Sequence, residues 1–285
     1  MDREGIIAGA IEFTQKSPGN YVSKEAAILP SYVGMKIFES PIFSVGKADD
    51  ELFMGFKSPD VIGDHFLAPL EWLPTAKTVV SWFLPYTDRI KKANAKDFKW
   101  PADEWLHGRI EGQIFINELS QYIQKQITGA GYQCIVPALD ARLKVGSASY
   151  KHTSNWSERH AAFACGLGTF GLSKGLITEK GMCGRFGSII TELDLPVDAR
   201  PYHDVYEYCT MCGTCAAHCP VRAISLEEGK KHQVCSDFLD KTREKEHPRY
   251  GCAKCQVGVP CESGIPNSKK TVTVQGQAGF HSGAV

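Results

Sequence analysis

Residues Cys209 to Pro220 read CTMCGTCAAHCP, and this stretch limits what the chain can fold into more than any other. It fits the spacing C-x2-C-x2-C-x3-C-P residue for residue. Cysteines at successive two-residue gaps lie on one tight loop, so Cys209, Cys212 and Cys215 can grip three irons of a single cubane. Cys219, leaving on a helix before the proline, faces away and serves a second cluster. That cluster needs three more thiolates. Cys235, Cys252 and Cys255 supply them, which leaves Cys261 to complete the first. The expected ligand sets are therefore Cys209, Cys212, Cys215 and Cys261 for one four-iron cluster, and Cys219, Cys235, Cys252 and Cys255 for the other. The second half, CAKCQVGVPC, departs from the usual pattern by a longer gap between Cys255 and Cys261. Zinc is the competing metal, but its sites prefer paired C-x2-C elements at ribbon spacing.

The rest of the cysteine usage agrees with metal binding. Of 11 cysteines, only Cys134, Cys165 and Cys183 lie outside the late cluster, and they read as small buried hydrophobes. Disulfides at such density need an oxidising compartment. The start, MDREGIIAGAIEFTQKS, has acidic residues beside an apolar run too short for a signal peptide or a membrane span, so the expected location is cytoplasmic, with no membrane partner. The formal net charge is zero, so no whole-protein field favours nucleic acid or an anionic membrane.

Strand and helix signals alternate ahead of the cysteines. Residues 4–16 read as an amphipathic helix, and 17–75 as an irregular stretch rich in Pro, Gly and aromatics. AKTVVSWFLPY (76–86) is a β-branched run bounded by prolines, a buried strand. Ile110, Ile114, Leu119, Ile123 and Ile127 recur at helical spacing and run out near Gly129 and Gly131. YQCIVPAL (132–139) and FGSIITEL (186–193) are further strands, with a helix over 156–165 between them. Residues 194–204 form a linker, and 267–285 a small, polar tail.

The helix over 156–165 runs into a G-x-G-x-x-G at Gly166, Gly168 and Gly171. A dinucleotide fingerprint needs a strand entering the glycines and a helix leaving them, so that the helix N-terminus faces the pyrophosphate. Here Ser157 is a plausible N-cap of an alanine-rich helix that enters them. The order is reversed, which argues against a nucleotide site.

The segment SERHAAFACGLGTFGLSKGLITEKGMCGRFGSIITELDLP (157–196), together with the late cysteines through YGCAKCQ, resembles the epoxyqueuosine reductase and reductive dehalogenase superfamily. The first part is similar to that family's E-x-x-A-x-x-A-G-L-G-x-x-G segment and the Gly-Ser strand after it, and the likeness runs from about Lys77 to Pro266. It implies an α+β fold, a nitroreductase-like α/β core (1–200) fused to a C-terminal two-cluster bacterial ferredoxin-like module (201–266), with the tail beyond. It also implies that Gly166, Gly168, Gly171, Gly187 and Ser188 line a pocket for base-off cobalamin, packed between the core and the nearer cluster. Missing Cβ atoms let backbone approach a flat macrocycle. The D-x-H-x-x-G element of His-on cobalamin proteins is absent, as this requires.

Two departures bear on chemistry. The family carries an Asp-Ser pair shortly before the Glu-Arg that matches Glu158 and Arg159, and that Asp is its proposed proton donor; here the stretch is YKHTSNWSER, with His152 near that place. The family's R-G-R-D-Y-H appears as HGRIEGQ (107–113), which keeps Gly108 and Arg109 but loses the Tyr. His152 is the candidate acid, since histidine supplies protons near neutral pH. The resemblance thus implies a cobalamin-dependent iron–sulfur oxidoreductase, fed by an external electron donor such as a ferredoxin, a flavodoxin or a reductase. An electron-transfer or corrinoid-handling protein without its own substrate, a tRNA epoxyqueuosine reductase, and a flavin-type nitroreductase relative stand as alternatives.

Overall fold

The structure is a computed structural model, and it describes residues 1–146 and 152–267. The expected tail lies outside the described residues from position 268 on. The elements that position the site are, in chain order, α1 (Arg3–Lys16), β1 (Ile42–Lys47), β2 (Thr78–Pro85), α2 (Asp103–Gly129), β3 (Cys134–Ile135), α3 (Glu158–Cys165), β4 (Gly168–Phe170), β5 (Leu176–Thr178), β6 (Gly184–Thr191) and α4 (His232–Lys245). Mixed helix and sheet of this kind is an α+β fold.

Every residue of β2 is buried, which is why its sequence is almost continuously apolar instead of alternating. It lies inside an antiparallel sheet of order β1-β2-β6-β3, with Thr78 opposite Thr191 and Pro85 opposite Gly184. A strand in that position needs cover on both faces. Val80, Trp82 and Leu84 pack into a cluster with Phe115, Leu119 and Ile123 of α2 and Ile6 of α1. Val79 and Ile190 pack into a second cluster with Ala161, Ala162 and Cys165 of α3. The alanines of α3 follow from this, because small side chains let a helix lie close on the sheet.

Two expectations about elements need correction. The strand expected over 132–139 pairs with β6 only at Cys134 and Ile135, and Pro137 opens a 3-10 turn over Pro137–Leu139. Proline lacks the N–H that a ladder requires. The stretch read as irregular holds β1, IFSVGK, whose Ser and Gly weaken the strand signal.

The cysteine-rich segment is clamped to the core by buried polar links. Arg249 donates from Nη1 to Glu111 Oε2 at 2.7 Å, and from Nη2 to Glu111 Oε1 and Ala26 O at 2.8 Å each. His107 completes the cluster, with Nδ1 2.8 Å from Glu111 Oε2. Its Nε2 accepts from Ile28 N, so the proton of the neutral ring sits on Nδ1, facing the carboxylate. Lys254, inside the C-A-K-C turn, is 2% exposed and donates to Asn94 O at 2.7 Å, while Asn94 Nδ2 donates to Cys252 O at 2.9 Å. Backbone bonds Met182 N to Cys261 O and Cys183 N to Glu262 O tie the last cysteine to the approach of β6.

Candidate functional site

The glycines expected to line one cofactor pocket are used for different purposes. Gly166 caps α3 with φ +100°, a left-handed conformation that favours glycine. Gly168 lies in the β4–β5 hairpin, where a Cβ would stand 2.0 Å from Ile177 O. Gly171 borders the cavity of the first cysteine set. The G-x-G-x-x-G is therefore a helix stop, a close backbone approach and a turn, and its members do not converge on one cavity. At Gly187 an added Cβ would lie 2.6 Å from the Trp82 indole, so its missing side chain admits Trp82. Gly187 does line a cavity, with Ser188 buried beside it.

The cysteines fall into two sets. Cys209, Cys212, Cys215 and Cys261 border one small cavity, together with Met182 and Ile177 of the core. Cys219, Cys235, Cys252 and Cys255 all border another, of about 390 Å³, whose opposite wall is Gly184, Arg185 and Phe186 of β6. Cys235 reaches it from the first turn of α4. Burial first, and then the neighbouring cysteines, push the thiols of Cys215, Cys252 and Cys261 up to about 12. A cation among them reverses both effects, since a coordinated thiol is deprotonated outright. Among the described residues no group of three or more His, Cys, Asp or Glu closes tightly enough for a single metal ion.

A third cavity, of about 450 Å³, adjoins the one at Cys219, and Arg159, Gly184, Arg185 and Phe186 line both. Arg185 is held between them: Nε donates to Tyr86 Oη at 3.2 Å, Nη1 to Gln113 Oε1 at 2.9 Å and Nη2 to Arg109 O at 2.7 Å. On the far wall Trp156 Nε1 donates to Ser188 Oγ at 3.0 Å, and Ser188 Oγ donates to Glu158 Oε2 at 2.6 Å. Burial pushes the Glu158 carboxyl up to about 8 against those two hydrogen-bonding partners. The neighbourhood is otherwise basic. Burial first, and then the positive charges of Lys174, Lys230 and Arg159, hold His232 down at about 4.

His152 sits elsewhere. It is exposed, adopts φ +68°, bonds through Nε2 to Gln233 Oε1 at 3.1 Å and stacks 6.2 Å from His232. It lines neither of the two adjoining cavities. Sequence reasoning passed over Trp156 and Arg185, and took Glu158 only as a landmark. The signal available was a Glu opening a helix with alanines three and four residues on, at Ala161 and Ala162.

Residues 202–225 match the family model of the 4Fe-4S binding domain. A tetrachloroethene reductive dehalogenase of Desulfitobacterium hafniense is 34% identical over 109 residues, which make up 36% of this chain and 20% of that protein. The catabolic reductive dehalogenase NpRdhA, solved with 3-bromo-4-hydroxybenzoic acid, superposes at TM-score 0.52 and 13% identity, covering 92% of this chain and 37% of that one. Over those 109 residues this chain is similar to the reductive dehalogenases. Epoxyqueuosine reductases are also structural neighbours; one solved with a tRNA stem loop gives TM-score 0.49 at 20% identity over 93% of this chain and 67% of its own. The matched proteins are oxidoreductases. The alignment to the dehalogenases spans about a fifth of their length. Among the described residues no helix is long and apolar enough to cross a membrane.

Proposed function

We propose that this chain is an iron–sulfur oxidoreductase with a nitroreductase-like core, in which two four-iron clusters pass electrons to a corrinoid that reduces the substrate. One observation carries the reading. The eight late cysteines divide four and four between two cavities, and the second of these shares its β6 wall with the cavity beside Gly187 and Ser188. Sulfurs spread around a cavity suit a multi-iron cluster better than one zinc ion. The joined cavities, about 390 and 450 Å³, are of the size that cofactor sites occupy. Bound there, a corrinoid would supply a cobalt centre that accepts electrons and acts on the substrate.

The protein's own work is positioning. Cys219, Cys235, Cys252 and Cys255 would hold one cluster against the β6 wall, while Cys209, Cys212, Cys215 and Cys261 hold the other beneath it. Cys212, exposed at the surface, puts that set within reach of an external one-electron donor of the ferredoxin or flavodoxin kind. Arg185, fixed by Tyr86, Gln113 and the Arg109 carbonyl, presents a positive charge where the cavities meet and attracts electron-rich groups there. The exposed position of His152 favours one rival, an electron-transfer or corrinoid-handling protein.

The test is anaerobic reconstitution with iron, sulfide and cobalamin, read by absorption. The proposal expects one cobalamin retained per chain with its lower base detached, and flavin not retained. A chain that takes up no corrinoid contradicts it.

A further inference from the structure

We propose that Glu158 is the proton donor of the cavity beside Gly187, delivering its proton from Oε1 to the group being reduced; this rests on the reductase reading above. The hydrogen bonds decide which oxygen carries the proton. Trp156 Nε1 can only donate, and it donates to Ser188 Oγ at 3.0 Å. Ser188 Oγ donates its single hydroxyl proton to Glu158 Oε2, 2.6 Å away. In that arrangement Oε2 is the acceptor, and the neutral acid carries its proton on Oε1. That oxygen is buried and has no partner among the described residues. An unmatched buried donor is costly, and such costs gather where a ligand completes the bond.

The surroundings keep the acid neutral at physiological pH. Glu158 opens α3, where the helix dipole favours a carboxylate, and Arg159 and Arg185 are the charged groups that share its cavity. Desolvation nevertheless outweighs the stabilising contacts and raises the group to about 8. Among the described residues, the other polar groups lining the cavity are neutral, among them Gln113, Asn117, Ser120 and Ser157.

The step balances simply. Reductive cleavage of a carbon–halogen bond consumes two electrons and one proton. The electrons come one at a time from the external donor through the clusters. The halide leaves with the bonding pair, the new C–H bond takes the proton from Oε1, and Glu158 is left as a carboxylate that solvent reprotonates.

The experiment uses the full chain loaded with iron and cobalamin, and its first readout is independent of activity. Infrared titration should find a protonated-carboxyl band in the wild type that disappears around pH 8 and is missing in Glu158→Gln. With 3-bromo-4-hydroxybenzoic acid as probe and a chemical one-electron reductant, Glu158→Gln should debrominate about 10²–10⁴-fold more slowly, with iron and cobalamin content unchanged. Ser188→Ala, which removes a bond that favours the carboxylate, should keep the band and move its disappearance to higher pH. The proposal is overturned if no such band exists, or if Glu158→Gln debrominates as fast as the wild type. A wild type that retains no cobalamin overturns the reductase reading itself, and the donor role with it; that result is seen before any variant is made.

Discussion

Replacing Arg249 with Met tests what holds the cysteine-rich segment on the core. The Arg249 and Glu111 side chains are 15% and 13% exposed, and they meet through two parallel bonds of 2.7 and 2.8 Å. Removing the guanidinium strands the Glu111 carboxylate, leaving His107 as its remaining partner, and also frees Ala26 O. Breaking one side of a buried pair costs about 3–5 kcal/mol, because the charge left behind is uncompensated. At about 2–4 °C per kcal/mol for chains somewhat shorter than this one, the melting temperature should fall by roughly 6–20 °C. The sign with pH follows from Glu111, which its bonds to His107 and Arg249 hold below the usual carboxylate range despite burial. A depressed folded pKa stabilises above the unfolded value, near 4.3, and that contribution is lost as pH falls through the folded one. The variant should therefore differ most from the wild type at neutral pH and least in acid. The assay is thermal unfolding followed by circular dichroism and by iron–sulfur absorption, with Glu111→Gln and the double variant closing the cycle. A coupling of about 2 kcal/mol or more is expected. A loss under about 1 kcal/mol, or additive single variants, would refute the clamp.

Gly168→Ala should prevent stable folding, or cost more than about 3 kcal/mol, because its Cβ would meet Ile177 O at 2.0 Å; soluble yield and melting temperature report it. His152→Ala, at an exposed position, should change stability by no more than about 0.5 kcal/mol and leave the proposed debromination intact, in contrast to Glu158→Gln. His160 is held neutral at about 3 by burial and by the positive charges of Arg159 and Lys174. Its unfolded counterpart binds a proton below about 6.5, so it destabilises the fold as pH drops from there toward 3; His160→Leu should shift the acid-unfolding midpoint downward.

The grouping of the cysteines around two cavities could be anticipated from the sequence because two-residue gaps keep Cys209, Cys212 and Cys215 on one loop, and these three border one cavity with Cys261. Strand β2 was readable because burial on both faces leaves a continuous apolar run. The Trp156–Ser188–Glu158 chain was not, because its members meet only when α3 packs against β6, which no local pattern records. The glycines misled for a related reason. A Gly-rich motif reports that backbone comes close to something, and at Gly168 that something is the next strand of the same hairpin.

In the proposed arrangement each set of four cysteines holds its own cluster. Iron and zinc analysis of the anaerobically reconstituted chain, beside its Cys235→Ala variant, tests this most directly. Two four-iron clusters predict about eight irons per chain and no zinc, falling toward about four in the variant while the set around Cys212 keeps its cluster. About four irons in the wild type with no loss in the variant, or stoichiometric zinc, would contradict the account.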